Sequence, residues 1–547
     1  MENKDAGRDP RATDHQEVEW QFDALDIRPV LRWLEGRASE NGEPLITPSG
    51  EGDISDTYLD TGDWRIHRAG YALRLRNKGG KYEATMKLLA PAEGEGLRRR
   101  REISEPLDSK DISKSNGPVG ERIRALTGPK SLKPLFEVRT RRRTSEVSFG
   151  GDGENGEAKT VGEIALDETE IPVEDGPAAV LRRVEVELER GSPESLEPFV
   201  EELRLGCRLS PATVSKFEAG LLAGELSPPE APEFGSKEIS SSLKIGEVAY
   251  AVMREQFEIF LRYEPATRVG EDSEDLHDMR VASRRLRAAM QVFKEALPVR
   301  SKRFRDELKW IAGVLGEVRD LDVQLEQLDE WVSEADPEDR EPLGELRGVL
   351  EERREKARKA MLRALDSRRY ARFVESYSAF LRRGPSRRSA NARRRVLEAA
   401  PEIIARRYQK FRKVGDVIED DSPAEEYHEL RKRGKRLRYT LEFFSKVYGK
   451  SVTERIKALK SLQDVLGDHQ DAVVATAQLR ELALPAKRRR GGSVSPQAVF
   501  VMGGISRRYQ TLAAELRKEF PDAYAKVKGK RWKKFEKVMD RTRPESA

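Results

Sequence analysis

HDMRVASRRLRAAMQVF, His277 to Phe293, returns 151 residues later as HELRKRGKRLRYTLEFF, His428 to Phe444. The same offset carries a second block without a gap. Val314-Leu315-Gly316 answers Val465-Leu466-Gly467, Asp320 answers Asp471 and Val323 answers Val474. Two blocks in one register predict a duplicated helical unit. In the first copy Met279, Ala282, Leu286, Met290 and Phe293 recur at three-four spacing, which makes one apolar stripe. His277, Arg280, Arg284 and Arg287 keep the same spacing about half a turn away. The second copy places Leu430, Leu437, Leu441 and Phe444 on its stripe, and His428, Arg431, Lys435 and Arg438 on the other side. Each helix has a core side and a narrow cationic side headed by a histidine. A row of cations suits a polyanionic chain better than a single small anion.

The chain has 547 residues, too many for one core, so two or three domains are expected. Charged residues reach 36% and aromatics only 7%, a composition of solvated helices. No long apolar run predicts a membrane span, and MENKDAGRDPRATDHQ lacks the apolar centre of a signal peptide. Cys207 is the only cysteine, which excludes intramolecular disulfides and predicts a cytoplasmic protein. The five histidines and that cysteine form no zinc spacing.

Charge is distributed unevenly. Residues 1–235 hold 34 Lys and Arg against 46 Asp and Glu, a net −12, and the remainder carries +17. The change of sign falls in SPPEAPEFGSKEISSS, Ser227 to Ser242, whose Pro, Gly and Ser predict a linker at residues 227–240. Domains are expected at 14–226 and 241–538. The basic half should attract polyanions with strong salt dependence.

The first half alternates with period two. Glu17-Val18-Glu19-Trp20, Ala72 to Arg76, Tyr82 to Lys87, Glu137 to Arg143 and Val184 to Glu189 read as strands, with a Gly-rich hairpin at GGDGENGEA. Asp26 to Arg37 and Glu194 to Leu205 read as helices. Several strands place Glu, or Arg and Lys, at successive positions of one face. Two structures satisfy this pattern: a closed barrel lined by both charges, or an exposed sheet with cross-strand ion pairs. In a barrel the carboxylates can hold a hard divalent cation, and the cations phosphate oxygens.

From about Asp14 to Glu225 the chain resembles the CYTH domain, or triphosphate tunnel metalloenzyme. The matching residues are Glu17-Val18-Glu19, YLDT at Tyr58, LRLR at Leu73, TMK at Thr85, VRTRRR at Val138, ALDE at Ala165, VEVELERG at Val184 and SKFEAGL at Ser215. The resemblance implies an antiparallel β tunnel that takes triphosphate-like substrates with Mg²⁺ or Mn²⁺. It implies metal-binding roles for Glu17, Glu19, Glu185 and Glu187, with Asp167 a further metal-side carboxylate. It implies phosphate-binding roles for Arg74, Arg76, Lys87, Arg139, Arg141 and Lys216; Arg100 and Glu102 depend on the register of the RRRR run. The family opens with Glu-x-Glu-x-Lys, whereas this chain has Gln21. Glutamine donates hydrogen bonds but neutralises no phosphate charge, so the departure bears on turnover more than on binding. No general base can be named.

From Ser240 onward the periodicity is helical. Helices are expected at Val248–Tyr263, Lys302–Trp331, Pro342–Leu365, Arg369–Arg382, Asn391–Lys413 and Gln497–Glu519. Arg382 to Arg395 reads as a basic inter-repeat segment, Leu484 to Pro496 as a loop and KVKGKRWKKFEK as a basic tail. The two signature stretches, with VLGEVRDLD and VLGDHQD, resemble the CHAD domain, the conserved-histidine α-helical domain, over about Ser241 to Val538. That resemblance implies a two-repeat helical bundle that binds inorganic polyphosphate, and CYTH followed by CHAD is itself a recognised arrangement. A polyanion beside His277 and His428 would favour their protonated forms. The Asp320 and Asp471 pair is expected to orient arginines rather than bind metal, and His469, whose counterpart is Val318, is a weaker ligand candidate. The expected architecture is thus α+β: a β tunnel and an all-α bundle, acting on triphosphate or polyphosphate. The alternative is a non-catalytic scaffold at polyphosphate granules. Few aromatics stand among the cations, which disfavours nucleic acid.

Overall fold

The computed structural model describes residues 12–39, 43–91, 93–149, 159–174, 176–229, 233–483 and 495–543. The chain divides into two compact units, residues 1–231 and 232–547.

The first unit is built on β1 (Thr13–Asp23), β2 (Leu45–Thr61), β3 (Tyr71–Lys78), β4 (Lys81–Leu88), β5 (Leu97–Leu107), β6 (Leu132–Phe149), β7 (Lys159–Ile171), β8 (Ala179–Leu188) and the two-residue β9 (Ser210–Pro211). The hydrogen-bonded order is β5-β4-β3-β2-β6-β7-β8-β1-β9, and β1 also pairs antiparallel with β5. That last pairing closes eight strands into a barrel and decides between the two structures the sequence allows. Strand β1 shows how the wall is divided. Trp20 and Phe22 pack outward with Val184 and Val186 of β8, under Val30 and Leu34 of helix Arg28–Ser39 and Leu196 and Phe199 of helix Pro193–Gly206. Glu17, Glu19 and Gln21 take the alternate positions and line the interior. The apolar layer therefore lies outside this part of the wall and the polar layer inside.

One stretch of the barrel is filled by Tyr58, Phe136, Val138 and Phe217, with ring centroids 4.9 Å (Tyr58–Phe136) and 5.4 Å (Tyr58–Phe217) apart. Phe217 comes from the short helix Lys216–Ala223. Its start is fixed by a capping box: the Ser215 hydroxyl accepts the Glu218 N–H at 3.2 Å, and the Glu218 carboxylate accepts the Ser215 N–H at 2.6 Å. Lys216 is thereby the first helical residue. The expected GGDGENGEA hairpin, residues 150–158, lies outside the described residues.

The second unit is helical around a large core with residues from Phe234 to Met539, with a second cluster of Leu328, Leu343, Leu346, Leu350, Leu479, Val501, Met502 and Ile505. The two signature stretches form helices Ser273–Val292 and Ala424–Phe443, each followed by a long helix, Lys302–Glu334 and Lys450–Ala483. Their ends meet through Phe293, whose ring lies 6.0 Å from Phe443 and 5.7 Å from Phe444. Helices Ile245–Val269, Pro337–Leu365 and Arg368–Arg383 extend the expected spans by a few residues. Three expectations need correction. The basic tail is helix Lys530–Arg541, which buries Trp532, Phe535 and Met539 and stacks Trp532 on Tyr408 at 3.6 Å. The linker ends early: Phe234 is buried against Phe257, and Arg254 donates to the Ser236 carbonyl at 3.0 Å. The inter-repeat segment contains helix Ala390–Arg393, so the next helix starts at Val396. Most of the expected Leu484–Pro496 loop, residues 484–494, lies outside the described residues; Ser495 caps helix Pro496–Val527. Among the described residues no helix is long and apolar enough to cross a membrane.

Gly220 lies where an added Cβ would collide with the Phe136 ring. Gly220→Ala should therefore destabilise the barrel unit by about 1–3 kcal/mol, read as a lower denaturation midpoint.

Candidate functional site: an ion-paired tunnel and a cationic cleft

The barrel interior is lined by Arg74, Arg76, Lys87, Arg100, Arg142 and Lys216 and by Glu17, Glu19, Glu83, Glu102, Glu185 and Glu187. The lining thus holds six cations and six carboxylates, and Asp56 and Asp167 stand behind the cations. The charges pair across strands. Lys87 Nζ donates to Glu17 at 2.6 Å and also to Glu102. Arg100 Nε donates to Glu17 at 3.0 Å, and its Nη2 to Glu19. Arg76 grips Asp56 with two bonds of 2.8 and 2.9 Å. Arg142 bonds both oxygens of Asp167 at 2.8 and 2.7 Å and reaches Glu185 at 2.6 Å. Lys216 joins the same two carboxylates, 2.9 Å from Glu185. With these pairs made, the free volume is only about 130 Å³.

The pairs set the protonation states. Burial works to raise Asp56, but the Arg74 charge and the Arg76 hydrogen bonds hold it down at about 2. Burial likewise opposes ionisation of Glu185, and Lys216 and Arg142 carry it well below the usual carboxylate range. Glu187 behaves oppositely. Burial, with the Glu17 charge, pushes it up to about 7. It faces Glu19 across the β1–β8 ladder, and no ion pair or hydrogen bond of its side chain occurs among the described residues. Gln21 also sits among carboxylates: its amide N–H₂ donates to Glu19 at 3.0 Å and Glu185 at 3.4 Å, while its Oε1 is buried without a partner.

A divalent cation fits this set. Glu187, facing Glu19 in register without an ion pair among the described residues, and the buried Gln21 amide oxygen call for positive charge, and oxygen ligands suit a hard divalent cation. Glu17, Glu19 and Glu187 would hold it. Among the described residues no three such groups already stand as a metal-ligand set, since Arg100 and Lys87 occupy Glu17 and Glu19.

In the helical unit, the two signature helices and their neighbours enclose an open cleft of about 750 Å³. Arg284, Arg287, Arg305, Lys309, Arg407, Lys410, Lys432, Arg433, Lys435 and Arg436 line it, with Asp306 the one acid. Burial, with the charges of Arg431, Arg284 and Arg438, lowers Lys435 to about 8. The repeat recurs in three dimensions. Arg280 pairs with Asp320 at 3.0 Å, and Arg431 with Asp471 at 3.8 Å. A Cβ at Gly316 would stand 3.6 Å from Arg280, and one at Gly467 3.4 Å from Arg431. The arginines thus lie alongside the paired VLG blocks at ordinary contact distance, and the aspartates pair with them.

Residues 40–220 match the family model of the CYTH domain, and residues 251–480 that of the CHAD domain. The chain is a CYTH domain followed by a CHAD domain. An uncharacterized protein of Mycobacterium tuberculosis (strain H37Rv) is 26% identical over 95% of this chain and 97% of its own length. The CHAD domain of the plant Ricinus communis is 27% identical over 55% of this chain and 96% of that one, with a TM-score of 0.44. HpAC1 from Hippeastrum, described as having a dominant triphosphatase activity, is 17% identical over 39% of this chain and 99% of that one, with a TM-score of 0.29.

In the CYTH domain the tunnel gathers Glu17, Glu19, Glu185, Glu187, Arg74, Arg76, Lys87 and Lys216 as the sequence predicts. Arg139 and Arg141 do not belong to it. They lie on the outer wall, opposite Ser55 and Asp53 of β2 and Glu170 and Glu168 of β7, with side chains 66% and 59% exposed. The inward cation of β6 is Arg142, which shares its face with Phe136 and Val138; those apolar positions were the available signal. Asp167 is fully enclosed by Arg142 and Lys216 and anchors them, rather than standing open to metal. On β5, Arg98 and Arg100 point inward, whereas Arg101 pairs outside with Asp14.

In the CHAD domain Arg284, Arg287 and Lys435 line the cleft; His277, Arg280, His428, Arg431 and Arg438 are not among its lining side chains. Burial holds His277 below its ordinary value, so the expected protonated form is not favoured before a ligand arrives. Residues not anticipated as part of this surface, Arg305, Lys309, Arg407 and Lys410, come from helices Lys302–Glu334 and Val396–Gly415, outside the two signature helices. His469 is buried, stacked 4.8 Å from Tyr427, with its Nε2 accepting from Arg517 Nε at 3.2 Å. Burial and the Arg517 charge lower it to about 4. The folded form thus resists a proton that the unfolded chain accepts near 6.5. Stability from this group is complete above about pH 6.5 and is lost as pH falls toward 4. His469→Gln should reduce the drop in melting temperature between pH 7 and pH 4.5 relative to wild type.

Proposed function

We propose that the CYTH domain binds triphosphate or short polyphosphate with Mg²⁺ or Mn²⁺ and hydrolyses it, while the CHAD domain holds inorganic polyphosphate in its cationic cleft. The observation that carries the first part is a closed tunnel whose lining sets six cations among six carboxylates. Arg74, Arg76, Arg142 and Lys216 bind the phosphate oxygens, with Asp56 and Asp167 fixing the guanidinium planes. A bound divalent cation supplies charge neutralisation to the phosphoryl group. Water attacks the terminal phosphorus as the bond from that phosphorus to its bridging oxygen breaks; orthophosphate and the shortened phosphate chain leave, the proton of the water passes to solvent, and the preorganised cations stabilise the charge that develops. The barrel wall and the Tyr58–Phe217 layer limit bulk water. The absence of an internal disulfide, with Cys207 a free thiol, suits action in the cytoplasm at polyphosphate granules.

Orthophosphate release from triphosphate, ATP and long-chain polyphosphate, each with Mg²⁺ or Mn²⁺, tests the hydrolysis. Arg142→Gln should lower kcat/KM at least about tenfold, whereas the outward Arg141→Gln leaves it unchanged. A second reading, a non-catalytic polyphosphate scaffold, is favoured by the neutral Gln21 amide among the tunnel carboxylates. Intact polyphosphate binding with no release under either metal selects that reading.

For the cleft, polyphosphate affinity should fall steeply with salt, and Arg284→Gln with Lys435→Gln should reduce the log–log slope by about 1–2. Duplex DNA at equal phosphate concentration should not displace the polymer. Phosphate beside Lys435 restores its proton. Calorimetry at pH 8 in buffers of different ionisation enthalpy should show uptake of about half a proton on binding, absent in Lys435→Gln.

A further inference from the structure

The tunnel carboxylates that suit a cation are already occupied, and by the residues that suit phosphate. Glu17 and Glu19 are both almost fully buried, and Arg100 bridges them. Arg100 is the one cation ion-paired to Glu19 among the described residues, because position 21 offers only a neutral amide. Glu187 faces Glu19 in register without a counter-ion. Withdrawing Arg100 alone would leave the buried Glu19 uncompensated and Glu17 with Lys87 as its one ion-pair partner among the described residues, and an uncompensated buried charge costs several kcal/mol in proteins generally. A divalent cation on the carboxylates removes that cost, and a phosphate chain gives the released guanidinium a new partner.

We infer that Arg100 is an exchangeable counter-ion that links the two ligands of the tunnel: metal at Glu17, Glu19 and Glu187 releases Arg100 to phosphate, and phosphate releases the carboxylates to metal. The inference rests on the triphosphate reading of the tunnel. Arg100 acts here as a positioning residue that sets the order and mutual dependence of binding. Linkage is reciprocal, so each ligand raises the affinity of the other by the same factor.

The test is a calorimetric Mn²⁺ titration of the full chain, alone and with a saturating methylene-bridged triphosphate, corrected for the ion that the analogue itself takes up. In the wild type the analogue should raise Mn²⁺ affinity at least about tenfold. Arg100→Gln should bind Mn²⁺ alone at least about tenfold more tightly than wild type and reduce the gain from the analogue below about threefold. A merely structural arginine would weaken Mn²⁺ binding or leave it unchanged. Equal Mn²⁺ affinity of the two proteins without analogue, or an undiminished gain, overturns the inference. Circular dichroism checks folding. If Arg100→Gln does not fold, Arg100→Lys replaces it: one ammonium cannot bridge both carboxylates as the guanidinium does, so Mn²⁺ alone should bind more tightly than in wild type, and unchanged affinity overturns the inference. Failure of the wild type to bind the analogue rejects the triphosphate reading separately, since the comparison in Mn²⁺ alone still decides the role of Arg100.

Discussion

Closing a sheet on itself encloses every inward side chain in a space that water reaches only from the ends. Charges there keep their ionised forms only if partners stand within bonding distance, because desolvation otherwise drives them neutral. The first unit meets this constraint by pairing across strands. Arg142 and Lys216 share Asp167 and Glu185, Lys87 and Arg100 share Glu17, and Arg76 holds Asp56. The apolar material that normally fills a small barrel lies instead outside β1 and β8, beneath two helices, and in one aromatic layer around Phe217. Replacing the pairs by apolar residues would be the simpler route to a stable barrel. Their presence is therefore a statement about ligands rather than about stability.

The helical unit handles charge by the opposite means. Its cations stand together with one acid among them, open to solvent, so their mutual repulsion is relieved by water and counterions. Repulsion still shows where solvent is scarce, as at Lys435. In the proposed reading, a ligand entering the tunnel would exchange partners, whereas one entering the cleft would supply them.

Much of this was legible in the sequence, and the failures have separate physical sources. The repeated helices were readable because their apolar stripes and cationic rows keep one spacing in two copies. Strand faces in the barrel were readable wherever one face was apolar and packed under a helix, as in β8. On β6 both faces carry arginine, and the inward face has Arg142 as its one cation, beyond Phe136 and Val138. A period-two pattern gives the two faces but not which is inside, and an error of one residue moves the whole set across the wall. The cleft was half visible for a different reason. Arg305, Lys309, Arg407 and Lys410 reach it from helices brought together only by tertiary packing. KVKGKRWKKFEK looked like a tail because its lysines outnumber the Trp532, Phe535 and Met539 that hold it to the core.

The capping box at Ser215 ties one tunnel cation to the persistence of a short helix. Lys216 enters the tunnel from the first position of helix Lys216–Ala223, a span too short to survive without tertiary support. Its support is Phe217 among Tyr58 and Phe136, together with the ion pairs of Lys216 itself. Fraying of that one turn would remove a positive charge from the tunnel and loosen Asp167 and Glu185 at once. The charge balance of the tunnel is therefore tied to a single turn of helix, whose start is set by one serine hydroxyl.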